Sequence, residues 1–219
     1  SSGTFAYNLG PTGPFADGTV DIGSWQPDPG WDGRRAWWVY QDAINGFFYP
    51  WNQVPPGAGA GSRQPDGVTI EWSTGSTAPT EYNRTTVTLA DVDANSPHTV
   101  LHEYGHAIMD NVYGLWFPTN DCPAPHFITG AGGTNCSWTE GWGDFYSILV
   151  LNDPVYKWGC ALPCNPPALD LENHGWGSAG WDAGEFVEGN VAGALWDWVD
   201  DNPDGHDITD SSSTPFWQI

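Results

Sequence analysis

The chain has 219 residues, with 27 Asp and Glu against five Lys and Arg, so its formal net charge is −22. Binding to nucleic-acid phosphates or anionic membrane surfaces needs clustered cations, and this balance excludes both classes of partner. Aromatics make up 15% of the residues, with 15 Trp, which excludes an intrinsically disordered chain. No apolar run approaches the ~18 residues of a membrane span. A chain of this length buries its own core as one domain. Lacking an initial Met and a leader segment, it is expected to be a processed or excised piece. The acid excess reads first as a solubility device and second as a field that repels acidic substrates and tolerates neutral or basic ones.

Residues 1–30 are rich in Gly, Pro, Asp and Thr and read as extended segments and turns, with one strand around Thr19–Ile22. RRAWWVYQDAINGFFYPW follows as a helix whose face carries Trp37, Gln41, Ile44 and Phe48, stopped by Pro50. Residues 54–67 form a loop full of breakers. VTIEW (68–72) and TTVTLA (85–90) are β-branched, alternating strands joined by a loop. Ser96 as N-cap and Pro97 at the first helical position start a helix that ends near Gly114. A second helix, SWTEGWGDFYSILVL, stops before Pro154. After a Gly/Trp/Pro-rich region, a last helix carries Val187, Val191, Leu195 and Trp198 on its apolar face.

The four cysteines, Cys122, Cys136, Cys160 and Cys164, allow three pairings. Sequence proximity favours Cys122–Cys136 and Cys160–Cys164. The rival, a four-thiolate zinc site, has poor ligand spacing. Disulfides imply an oxidising compartment, so the protein is expected to be secreted.

The chemistry concentrates in His102-Glu103-Tyr104-Gly105-His106. Residues four apart on a helix lie one above the other, about 6 Å along the axis, so both imidazoles can bind one zinc ion. Glu103, rotated about 100° from His102, can take a proton from a zinc-bound water. The bland alternative is a surface helix with two solvated histidines, but the flanking Val100, Leu101, Ala107, Ile108 and Met109 are those of a buried helix. Catalytic zinc needs a third protein ligand and an open position. No third His follows closely. Glu140, in Ser137–Asp144, suits the ligand, and Asp144 one turn later suits a carboxylate that accepts a ligand histidine's outer N–H. Asp200-Asp201-Asn202-Pro203-Asp204-Gly205 also fits the opening of a calcium loop. Its closing Glu is missing, Asp207 and Asp210 stand as substitutes, and the competing reading is a solvated acidic turn.

HEYGH at 102–106 and TEGWGD at 139–144 resemble the gluzincin metallopeptidases of the thermolysin and fungalysin type, over roughly residues 96–152. EGNVAGALWDW at 188–198 is similar, more loosely, to that family's last active-site helix. The resemblance implies His102, His106 and Glu140 as zinc ligands, Glu103 as the base, and Asp144 behind His102. It also implies a His or Tyr that stabilises the oxyanion, for which His174 is the candidate and Tyr113 and Tyr156 are outsiders. Glu188 reads equally as a site residue or as a helix-start carboxylate, and Tyr146 as core. His98, His126 and His206 read as surface residues. The chain departs from the pattern in the long stretch from His106 to Glu140, which holds Cys122 and Cys136, and in its short length.

The expected fold is α+β and zincin-like. A small N-terminal sheet lobe with the active-site helix spans residues 1–106, and a mostly helical C-terminal lobe with the third zinc ligand spans 107–219. The expected function is that of a secreted, monomeric zinc endopeptidase acting on peptide or protein substrates, with TTVTLA pairing an extended substrate as an edge strand. The rival is a non-catalytic, aromatic-rich module that binds sugar or protein and holds its zinc structurally.

Overall fold

The computed structural model describes residues 7–8, 33–53, 68–114, 116–159, 165, 167–173 and 180–200. The expected strand at Thr19–Ile22, the Cys160–Cys164 pair, His174, His206 and most of the candidate calcium loop lie outside these residues. The elements run β1 (Tyr7–Asn8), α1 (Gly33–Gln53), β2 (Thr69–Trp72), β3 (Glu81–Tyr82), β4 (Thr86–Leu89) and a short 3-10 helix (Asp91–Asn95). They continue with α2 (Pro97–Val112), α3 (Thr134–Leu151), β5 (Val155–Lys157), β6 (Ala168–Asp170) and α4 (Glu188–Trp196). No helix among the described residues is long and apolar enough to cross a membrane.

The N-terminal sheet has the order β1-β2-β4-β3. Both strands expected from β-branched alternation are present, and they pair with each other in parallel, Ile70 opposite Val87. Alternation sends Val87 and Leu89 into the core, where both are wholly buried. The sequence reading missed β3, a two-residue strand too short to show alternation. Its presence corrects the expectation that TTVTLA is an edge: β4 is flanked on both sides, and β3 holds the edge. The C-terminal half contains one antiparallel pair, β5 with β6.

Pro50 does not stop α1, which runs on to Gln53. Proline removes the N–H that would bond the carbonyl four residues back, here that of Gly46. The Tyr146 hydroxyl supplies the missing donor, 2.5 Å from the Gly46 oxygen, so the helix continues. The buried face of α1 also differs from the expected one. Ala36, Val39, Ala43, Gly46 and Pro50 face inward, while Gln41 and Phe48 are exposed. Close approach decides this: a Cβ on Gly46 would lie 2.9 Å from Leu101 and 3.1 Å from Tyr104 of α2. Small residues form that seam, and the large aromatics are displaced to its flanks.

The start of α2 follows the sequence. The Ser96 hydroxyl accepts the Thr99 N–H at 3.1 Å, and Pro97, with no N–H to lose, opens the first turn. Position 106, expected to divide the lobes, falls in the middle of this helix. His98, expected at the surface, is buried one turn before His102, its ring 5.2 Å from that of Tyr156. α3 begins at Thr134, earlier than expected. A remote carboxylate caps it: Asp121 accepts the Cys136 N–H at 2.6 Å and the Asn135 N–H at 3.3 Å. It ends on Asn152 in the left-handed region, φ 52°.

α3 lies between α2 and α4. Gly141 and Gly143, two residues apart, point in nearly opposite directions around it. A Cβ on Gly141 would meet the Glu188 carbonyl of α4 at 2.6 Å, and one on Gly143 would meet the His102 ring of α2. One core lies between the sheet, α1 and α2, with Val87, Leu89, Val100, Tyr104 and Ile108. A second lies between α3, α4 and the β5–β6 pair, with Phe145, Ile148, Leu171, Ala192 and Leu195. Trp196 is buried there, whereas Trp198, expected on the apolar face, lies past the end of α4 and is half-exposed.

Two stability predictions follow from α1. Tyr146→Phe orphans the buried Gly46 carbonyl and costs about 1–3 kcal/mol in denaturant unfolding. The cost shrinks in a Pro50→Ala background, where residue 50 regains its own N–H donor. Asp42 is buried, with one carboxylate oxygen lacking a partner among the described residues. Burial pushes its pKa from 3.8 up to about 7. A folded-state pKa raised above the unfolded value stabilises below about pH 4, and that stability is lost as the pH climbs through 7. Asp42→Asn, neutral at every pH, therefore raises Tm at pH 8 by clearly more than at pH 5.

Candidate metal centre

α2 and α3 each present two site residues four apart, and the helices face each other across their glycines. A Cβ on Gly105 would lie 2.9 Å from the Tyr146 Cβ and 3.3 Å from the Gly143 Cα, so the backbones approach closely there. The Trp142 indole donates to the Gly105 carbonyl at 2.9 Å, tying the same point.

Across this seam three ligand atoms converge. His102 Nε2 is 3.1 Å from Glu140 Oε2 and 3.1 Å from His106 Nε2. His106 Nε2 is 3.4 Å from the same Glu140 oxygen. Among the described residues, His102, His106 and Glu140 form one of two groups spaced to hold a metal ion. Behind them, His102 Nδ1 lies 2.9 Å from Asp144 Oδ1, and the Asp144 side chain is only 1% exposed. That carboxylate accepts the Nδ1 proton, so it is Nε2, beside Glu140 and His106, that is available to a metal once its own proton is given up. Phe117 edges against the His106 ring at 5.9 Å and Tyr156 against the His102 ring at 6.2 Å. Both imidazoles are therefore held by packing as well as by polar contacts.

This donor set fits a zinc ion. Two imidazole nitrogens and a carboxylate oxygen crowded at 3.1–3.4 Å repel one another unless a proton or a cation lies among them. The same demand appears in the ionisation of the ligands. Burial lowers the basicity of His102, but the hydrogen bonds to Asp144 and Glu140 outweigh it and hold the ring well above its usual range. The charge of His106 and the hydrogen bond to His102 overcome burial at Glu140 and hold its carboxyl below the usual range. Two histidines and one carboxylate are a donor set that suits zinc.

Glu103 is buried beside this set. Burial pushes its pKa up, against the pull of both histidines. A backbone N–H bond from Tyr82, on the edge strand, steadies the carboxylate. That edge is itself pinned: the Tyr82 hydroxyl and the Arg84 guanidinium both donate to buried Asp110 of α2. Arg84 sits at φ 80°, a backbone conformation that its two bonds to Asp110 hold in place.

A second pair lies nearby. His126, expected to be a surface residue, has its Nδ1 3.0 Å from Glu188 Oε2. The His126 side chain is 41% exposed and that of Glu188 only 5%. The hydrogen bond to Glu188 raises the His126 pKa, and His126 also feels the charges of Glu140 and His102, so it lies near the same site. The loop that carries it is stapled by the expected Cys122–Cys136 disulfide. It is also bonded to the start of α4 through Gly189 N–H to Ile128 O at 2.9 Å. A lone His in a Pro-rich loop carries no sequence signal that would mark it. Of the outsiders, Tyr113 is an exposed acceptor for the Trp138 indole, and Tyr156 is buried behind His102.

Gly143 supplies a test of how tightly the set is built. A Cβ there would lie 2.9 Å from both Cε1 and Nδ1 of His102. Gly143→Ala displaces the ring that Asp144 orients, so if this set holds zinc a competitive chelator titration finds it bound roughly 10- to 100-fold more weakly than in the unaltered chain, while the protein remains folded.

Comparison with known proteins places the whole cluster inside one family domain. Residues 58–215 match the model of the mycolysin C-terminal domain, a domain found in mycolysin-type metallopeptidases, and this segment contains His102, Glu103, His106, Glu140 and Asp144. No curated protein and no solved structure matches the chain. The match covers more than half of the residues and gives the chain a protease context: it belongs to the mycolysin C-terminal domain family.

Proposed function

We propose that the chain is a secreted zinc endopeptidase of the gluzincin type, with a zincin-like α+β fold. The observation that carries this reading is the convergence of His102, His106 and Glu140 from two helices, with Asp144 behind one ligand and Glu103 beside them. The peptidase context of the family supports it. His102, His106 and Glu140 hold the metal. When bound, zinc supplies Lewis acidity that lowers the pKa of water toward neutrality and polarises a carbonyl. Glu103 removes the proton from the attacking water and delivers it to the leaving amine nitrogen. Its raised pKa suits a base that must also give the proton back. Asp144 fixes the His102 tautomer throughout.

His126 takes the part of the second donor to the developing oxyanion, in place of His174. Its Nδ1 meets Glu188, which leaves Nε2 as the donor, and it lies near enough to Glu140 and His102 to feel their charges. The edge available to an extended substrate is β3 rather than β4. Asn83 donates to Thr86 across the hairpin, so the alternate residue, Tyr82, directs its N–H and carbonyl away from β4. Its N–H meets Glu103, so this edge lies beside the base and offers an added peptide the Tyr82 carbonyl. The oxidised Cys122–Cys136 pair supports secretion.

Glu103→Gln should keep its zinc and its Tm while kcat/KM on casein-derived peptides falls about 10²- to 10⁴-fold. An active Glu103→Gln protein, or a zinc content unchanged by Glu140→Ala, sinks the hydrolytic reading and leaves a binding module with structural zinc. His126→Ala should lower kcat about 10²- to 10³-fold with KM little changed. The same loss from His174→Ala, with His126→Ala unaffected, returns the donor role to His174.

A further inference from the structure

We propose that the chain carries a second transition-metal site, made of His126, Cys136 and Glu188, which the Cys122–Cys136 disulfide keeps closed and reduction opens. His126, Cys136 and Glu188 each offer a ligand atom, and these atoms lie within 4.8 Å of one another. They come from three separately anchored pieces. His126 lies in the stapled loop, Cys136 in the first turn of α3, and Glu188 at the start of α4. In the oxidised chain the set is short by one ligand, because the Cys136 sulfur is spent on Cys122.

The set is built as metal sites are built. Glu188 and Cys136 are buried, 4% and 2% exposed, while His126 is open to solvent and provides the entry path. Reduction by a thiol or phosphine breaks the S–S bond. The reductant gives up two electrons and is oxidised, and each sulfur takes one proton to become a thiol. A divalent ion then displaces the Cys136 proton and is held by thiolate, imidazole and carboxylate, a combination that suits zinc with one position left for water. The other freed sulfur, Cys122, lies 4.0 Å from Glu140 Oε1. The disulfide thus denies the His126 and Glu188 pair the Cys136 thiolate. Capture of His126 also takes that ring from the proposed oxyanion role, so the redox state of one bond decides where His126 is committed.

Cys122→Ser frees the Cys136 thiol without reductant and leaves residues 160 and 164 untouched. Loaded with zinc and freed of excess, the full chain should hold one more zinc per chain than oxidised wild type by elemental analysis. Its cobalt form should show a thiolate-to-cobalt charge-transfer band that oxidised wild type lacks. Adding His126→Ala and Glu188→Gln to that variant should remove both the extra ion and the band. A folded Cys122→Ser protein with no extra zinc overturns the proposal, as does an extra ion indifferent to His126 and Glu188. If Cys122→Ser does not fold by circular dichroism, phosphine-reduced wild type decides: it must lose one zinc per chain on His126→Ala with Glu188→Gln, and no loss overturns the proposal. The readout is a difference in metal count, so it stands apart from whether the His102, His106 and Glu140 set holds zinc.

Discussion

The close approach of α2 and α3 is the constraint from which the rest of the site follows. Four side chains from two helices meet only if the backbones come near enough for a histidine on one to reach a carboxylate on the other. Gly105 and Gly143 make this possible, since a Cβ on either would strike the facing helix or the His102 ring. The indole of Trp142, bonded to the Gly105 carbonyl, holds the separation once it is reached. Gly105 of HEYGH and Gly143 of EGWGD therefore shape the geometry of the candidate ligands, although neither offers a ligand atom.

The glycine seam extends beyond this pair. Gly46 brings α1 onto α2, and Gly141 brings α4 onto α3, so the helices that carry or support the site all meet through missing side chains. Close packing of this kind leaves backbone groups exposed to apolar surroundings, and side chains meet the need. Tyr146 repairs the carbonyl that Pro50 orphans in α1, and Asp121 caps α3 from outside the helix. Tyr146 is the clearest case of shared duty. Its ring packs where Gly105 leaves room, and its hydroxyl reaches α1.

Electrostatics and topology place the chemistry at the junction of the two halves. The sheet contributes the edge strand whose Tyr82 N–H steadies Glu103, and Arg84 locks that edge to α2 through Asp110. The C-terminal half contributes Glu140, Asp144 and the Glu188–His126 pair. Three of the described cations, Arg35, Arg84 and Lys157, are paired with carboxylates away from the ligand set.

Features that depend on near neighbours along the chain can be read from the residues alone. The Ser96–Pro97 helix start, the i, i+4 pairing of His102 with His106 and of Glu140 with Asp144, the two β-branched strands and the Cys122–Cys136 bridge were legible because helix pitch, strand alternation and short loops are local rules. Tertiary structure alone decided what depends on contact between distant segments. It ran α1 through Pro50 because Tyr146, far away in sequence, replaces the lost donor. It turned the small residues of α1 inward because α2 lies close, and it put β4 inside the sheet because two-residue β3 pairs with its free side. It buried His98 against Tyr156 and drew His126 to Glu188 across the stapled loop. None of these contacts leaves a periodic trace, because each is set by how closely two backbones can approach in space.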